Sequence, residues 1–151
     1  MFNLKDLYQE VIVDHNRSPR NFGKMENPDR VAEGFNPLCG DRLNLYLKLD
    51  DDKITDLSFD GSGCAISVAS ASLMTDALKG KSVADAEKVF NEFHHMVTYD
   101  KPNDPEEIEH LGKLAALLGV KDYPARVKCA TLCWHTLHSA LEGETTPVST
   151  E

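Results

Sequence analysis

The side chains in this chain best suited to chemistry are four cysteines, Cys39, Cys64, Cys129 and Cys133, and a carboxylate beside the first of them, Asp41. Cys39 and Asp41 share the run Asn36-Pro37-Leu38-Cys39-Gly40-Asp41, Cys64 closes Gly61-Ser62-Gly63-Cys64, and Cys129 follows Arg126-Val127-Lys128. If Gly40 lets the loop fold back, the Cys39 sulfur and an Asp41 oxygen can reach one ion. Three thiolates and a carboxylate suit tetrahedral Zn²⁺ in charge and geometry, and the same soft sulfur set suits iron–sulfur chemistry. The chain lacks the compact CxxC pairs of a zinc ribbon, so spacing alone leaves both metals open.

Position adds to residue type. Cys64 and Cys129 are expected at or near helix N-termini, where the helix dipole and unpaired N–H groups favour a thiolate, with Arg126 and Lys128 adding positive charge beside Cys129. No interior of a regular element is expected to hold Cys39, Cys64 or Cys129, which argues against each being a small apolar filler. Cys133, one helical turn beyond Cys129, reads as core packing instead. His135 with His138, the adjacent pair His94-His95, and His15 read as packed, capping or exposed side chains, and Asp50-Asp51-Asp52 as a solvated turn lacking the spaced oxygens of a calcium loop.

The elements that must position these residues follow from periodicity. Leu4, Leu7, Tyr8, Val11 and Ile12 predict a helix over residues 3–16, stopped before Ser18-Pro19. Leu43, Leu45, Leu47 and Leu49 alternate with polar positions, predicting a strand with one buried face. A turn at 50–53 leads to a second strand through Ile54, Leu57 and Phe59, and a short strand over 31–35 completes a small three-stranded antiparallel sheet. Helical spacing then takes over. One helix runs from Ile66 to Gly80, one starts at the Ser82 cap, a shorter one spans Ile108 to Gly119 after a polar linker over 99–107, and the last covers 129–141. Strands first and helices after predict an α+β domain, residues 1–142, with 143–151 as a disordered tail.

Bulk properties exclude several classes. At 151 residues, 41% hydrophobic and 27% charged, the chain is one ordinary globular domain. Its net charge of -9 disfavours phosphate-backbone binding and hence nucleic acid. No stretch has the roughly twenty apolar residues of a membrane span, and Met1 to Leu7 lack a signal-peptide core, so a cytoplasmic location is the default expectation. In that compartment metal binding or thiol chemistry is a better expectation for the cysteines than disulfides. A zinc deaminase would need H-x-E with P-C-x-x-C, and neither pattern occurs. A purely structural zinc site has little use for a carboxylate ligand as weak as Asp41.

Taken in order, the motifs resemble the iron–sulfur assembly family that includes IscU, the NifU N-terminal domain and SufU. The matching pieces are Leu7-Tyr8, Asp14-His15, Pro19-Arg20-Asn21-Phe22-Gly23, Asn36 to Asp41, Phe59 to Ser67 and Pro124 to Cys129. Within the family the SufU branch is the nearer. Lys128 stands where IscU-type scaffolds place a histidine, and residues 98–120 form an extra helical segment.

The resemblance implies a fold of the SufE/NifU kind and a set of roles. Cys39, Asp41, Cys64 and Cys129 would hold one Zn²⁺ per chain, with Cys39 the persulfide acceptor and Arg126 an auxiliary residue. The alternative is iron or a [2Fe–2S] cluster assembled on Cys39, Cys64 and Cys129. Implied partners are a SufS-type cysteine desulfurase and, downstream, an iron–sulfur scaffold or apo-protein acceptors. On this reading the chain is a sulfurtransferase-like accessory of the desulfurase and not an independent enzyme.

Overall fold

The computed structural model describes residues 4–98, 106, 109, 111–143 and 147–149. Helix α1 (Leu4–Arg17) is followed by three strands, β1 (Arg30–Asn36), β2 (Asp41–Asp50) and β3 (Lys53–Ser62). Helices α2 (Ala65–Leu78) and α3 (Val83–Thr98) come next, then a 3-10 segment (Gly112–Val120), helix α4 (Pro124–Leu141) and a short strand β4 (Val148–Ser149). The strands-then-helices order of an α+β domain holds. No described helix is long and apolar enough to cross a membrane.

β2 pairs antiparallel with β1 and β3, and β4 joins the other edge of β1 in parallel, so the strand order is β3-β2-β1-β4. The sheet therefore has four strands where three are expected from the sequence. The fourth pairs Val148 with Gly34 and Ser149 with Phe35. Two residues carry no readable periodicity; the open hydrogen-bonding edge of β1 is what recruits them.

The period-two pattern buries Ala32, Leu43, Leu45, Leu47, Leu57 and Phe59 on one sheet face. Ile54 shares that face although it is three residues from Leu57. The register explains this: Leu47 faces Leu57 and Leu49 faces Ile54, so β3 carries one extra residue, a bulge that shifts the phase. Against this face lie α2 and α4, both buried on most of their circumference. A Cβ on Gly34 would run into Thr136 Oγ1, so glycine there lets α4 lie close against β1. Trp134 stacks on Phe93 at 4.5 Å and donates its indole N–H to Ser70 Oγ at 3.2 Å, fixing α3 and α2 to the same helix.

Two elements differ from the sequence expectation. The last helix begins at Pro124, not at Cys129, because proline at the first helical position has its φ preset and loses no hydrogen bond. Of the helix expected over 108–119, Glu109 is α-helical and Gly112–Val120 form the 3-10 segment, with Leu114, Ala115 and Leu117 buried; Ile108, His110 and all of the 99–107 linker but Glu106 lie outside the described residues. The cap at Ser82 forms as predicted, Ser82 Oγ accepting Asp85 N–H at 3.1 Å.

The segment after α1 is tied down. Ser72 Oγ meets His15 Nδ1 at 2.7 Å and accepts Arg20 N–H at 2.8 Å, and Arg20 also pairs with Asp14 at 2.8 Å. Phe59 N–H bonds Asn21 O and Gly23 N–H bonds Phe59 O, so residues 21–23 cover part of the outer edge of β3.

Candidate metal centre

The centre is built at the β1–β2 turn. Asn36 and Asp41 face each other as the last pair of the ladder, and both are fully buried. Gly40 N–H bonds Asn36 O at 2.8 Å, and Gly40 takes φ +72°, a left-handed conformation that glycine adopts without steric cost. The tight return leaves Cys39 exposed on the loop, two residues from a carboxylate anchored in the interior.

Asp41 reaches the start of α2. Its Oδ1 accepts the Cys64 N–H at 2.7 Å and its Oδ2 lies 3.9 Å from Cys64 Sγ. Cys64 is the N-cap residue of α2, as the sequence predicts, with extended backbone (φ -68°, ψ 164°). Gly63 makes the approach possible, because a Cβ there would lie 2.6 Å from Asp41 Oδ1.

α4 brings the third sulfur. Cys129 Sγ is 3.3 Å from Cys39 Sγ and 3.5 Å from Asn36 Nδ2. With Pro124 starting the helix, Cys129 lies in its second turn and is buried, contrary to the expected N-terminal placement. The thiolate preference expected there is reversed as well. Burial above all, then hydrogen bonds with Cys39, Cys64 and Asp41, drives the Cys129 thiol far above its ordinary range.

One donor atom from each of Cys39, Asp41 and Cys129 lies within 4.8 Å of the other two; Cys64, the fourth expected ligand, stands outside this group and touches it through Asp41. Tetrahedral zinc with S and O ligands needs donor–donor edges of about 3.5–3.8 Å. The observed 3.3 Å between sulfurs and 3.9 Å between Cys64 Sγ and Asp41 Oδ2 bracket that range. The Asp41 carboxylate, fully buried beside the sulfurs, is the kind of group that a coordinated cation would balance. The donor set fits a tetrahedral, thiolate-rich ion.

The remaining candidates separate from this cluster. Arg126 is exposed at the start of α4, its guanidinium 4.4 Å over the Tyr123 ring. Cys133 is buried in the core, 3.5 Å from Ser70 Oγ, and burial pushes its thiol up to about 12. His138 bridges Glu87 at 3.0 Å and Glu142 at 3.1 Å, and His94 packs edge-on to His135. Asn36 and Gly63 are the participants that residue-type reasoning passes over. Both stand in the quoted motifs, and the signal for Asn36 is its place across a four-residue loop from Asp41.

The profile of the NifU-like N-terminal domain matches residues 7–130, which include every member of this cluster. The chain belongs to that family. It is 45% identical over 145 residues, 94% of each chain, to a protein of Bacillus subtilis named zinc-dependent sulfurtransferase SufU. It is 41% identical over 139 residues to the iron–sulfur cluster assembly scaffold protein IscU of Streptococcus pyogenes, covering 92% of this chain and 85% of that one. Among solved structures, a crystal structure from Fervidobacterium islandicum assigned to iron–sulfur cluster assembly for the SUF system superposes with a TM-score of 0.81 at 40% identity, over 90% of this chain and 97% of that one. The NifU-like fold thus accounts for the whole α+β arrangement described above.

Proposed function

We propose that this chain binds one Zn²⁺ through Cys39, Asp41, Cys64 and Cys129 and accepts sulfur on Cys39 from a cysteine desulfurase of the SufS type, for iron–sulfur cluster assembly. The observation that carries the reading is the asymmetry of the cluster: an exposed sulfur on a loop, Cys39, touches a buried sulfur and adjoins a buried carboxylate. The likeness to a zinc-dependent sulfurtransferase over nearly the whole chain supports it.

Zinc in this site would keep the thiols deprotonated at neutral pH while limiting their oxidation. The chain's own residues set the rest. Asp41, fixed by the Cys64 N–H, and Cys129, fixed in α4, stay in place. Cys39 is the most exposed of the cysteines, where a partner's side chain can reach it, while Cys64 is half-buried and Cys129 buried. The Cys39 thiolate attacks the terminal sulfur of the desulfurase persulfide; a sulfur–sulfur bond forms on Cys39, the partner's bond breaks, and the partner's cysteine leaves as thiolate. Arg126, beside the start of the same helix, is positioned to meet an anionic group of the partner.

The test is metal analysis and absorption spectroscopy of protein purified without oxygen, followed by mass spectrometry after incubation with desulfurase and cysteine. Colourless protein with one zinc per chain and a gain of one sulfur atom on Cys39 is the expected result. Cys39→Ser abolishes the gain and Cys133→Ser leaves it unchanged; equal loss from both variants overturns the assignment. Stoichiometric iron with charge-transfer bands would replace this reading with assembly of a [2Fe–2S] cluster on the same cysteines.

A further inference from the structure

Asn36 is neither charged nor nucleophilic, yet its side chain touches three parts of the centre at once. Its Nδ2 lies 3.4 Å from Asp41 Oδ2 and 3.5 Å from Cys129 Sγ, and its Oδ1 accepts the Leu38 N–H at 3.2 Å. The backbone N–H at Leu38 can only donate, so it fixes the amide orientation: Oδ1 points to the loop, and the two amide hydrogens point to the carboxylate and the sulfur. The side chain is 0% exposed, and its backbone carbonyl also accepts Gly40 N–H at 2.8 Å. A fully buried amide spending both donors on candidate metal ligands is not accounted for by folding the hairpin, which the ladder and turn already close.

We infer that Asn36 is a positioning residue of the metal centre: it orients Asp41 and Cys129 as ligands and holds the base of the Cys39 loop, so that Cys39 can leave and return while the other donors stay in place. This rests on the zinc-site reading above. The donors act where they are most effective, because N–H groups aimed at anionic oxygen and sulfur in a dry interior stabilise the ligating charge state. Outer partners of this kind alter metal affinity by about ten- to a hundredfold when lost.

Asn36→Asp separates the roles. It keeps the shape and the oxygen facing Leu38 N–H, but puts an acceptor in place of the nitrogen facing Asp41 and Cys129. Zinc affinity, measured by chelator competition on reduced protein, is expected to fall about ten- to a hundredfold. The visible bands of the Co²⁺-substituted protein are expected to shift, a change in ligand field that simple loss of stability would not cause. Asn36→Ala, which removes both donors and the acceptor, is expected to weaken zinc in the same direction. A mutation-free check uses the Asn36 side-chain amide resonances of the unaltered protein, expected to shift and saturate at one zinc per chain.

Folded Asn36→Asp with zinc affinity within twofold of the parent and unshifted Co²⁺ bands overturns the inference. So do amide resonances indifferent to zinc. If the parent itself binds no zinc, the site reading fails and the inference falls with it. If the parent binds zinc and accepts sulfur while Asn36 proves indifferent, the inference alone fails.

Discussion

Gly63→Ala tests the architecture of the centre at a position with no functional group of its own. An added Cβ would lie 2.6 Å from Asp41 Oδ1 and 3.1 Å from Asp41 Cβ and Cγ. Gly63 is not among the glycines with positive φ, so alanine suits its backbone and the cost is collision alone. The buried carboxylate must move, and its 2.7 Å bond from the Cys64 N–H is the first to break. A hydrogen bond to a charged acceptor contributes about 1.5–3 kcal/mol, and restricting the unfolded chain returns about 0.4–1 kcal/mol. The net loss is about 0.5–2.6 kcal/mol, which for a chain of this size lowers Tm by roughly 1–10 °C. Zinc affinity should fall too, since Asp41 no longer faces the sulfurs. Differential scanning calorimetry of the metal-free protein and chelator competition on the loaded protein read the two effects separately. A Tm at or above the parent's with unchanged zinc affinity would refute the reasoning, because it would mean that Asp41 is not held against Gly63.

Two further outcomes follow from the packing. Burial above all, with a smaller contribution from Arg20, lowers the His15 imidazole below its ordinary value, so the unfolded chain binds the proton more readily than the folded one. Stability contributed by neutral His15 is then full above the ordinary histidine range and declines as pH falls through it. Urea midpoints should drop between about pH 7 and pH 5, and His15→Gln should flatten that slope in part, the remainder belonging to His135, which burial shifts the same way. Gly34→Ala drives a methyl into Thr136 and should cost about 1–3 kcal/mol by overpacking. Adding Thr136→Ala should recover part of that loss in a double-mutant cycle read by urea denaturation, and strict additivity would show that the two do not touch.

What the sequence disclosed depended on how local the determining physics was. The alternating leucines of β2 and the Ser82 cap were legible because their signals lie within a few residues. The four-stranded sheet was not, since β4 is two residues long and exists through the free edge of β1. The start of α4 is not legible at Cys129 because the helix is buried on most sides and shows no clear amphipathic phase, so only Pro124 marks its start. A helix starting at Cys129 would favour its thiolate, whereas burial in the second turn of the actual helix works against one. Cys39, Asp41 and Cys64 were readable as residue types in loops and at a cap; that Cys129 meets Cys39 across ninety positions is a property of the packed sheet and helices.

The placement of the four donors separates holding an ion from exchanging a ligand. Asp41 is locked by a strand, a cap N–H and Gly63; Cys129 is locked inside α4, which Gly34 allows to press against β1. Cys39 rides on the β1–β2 turn as the most exposed of the cluster's cysteines, its sulfur resting against that of Cys129, while Cys64 is half-buried at the cap of α2. Ligands on rigid elements keep their geometry when one partner departs, whereas four loop-borne ligands would lose the ion together. In the proposed sulfur transfer, the departing ligand must also be the one a partner can touch, and exposure favours Cys39 over Cys129. Exchanging these environments, with the mobile sulfur buried and the fixed ones exposed, would still bind zinc but could not hand its sulfur to another protein.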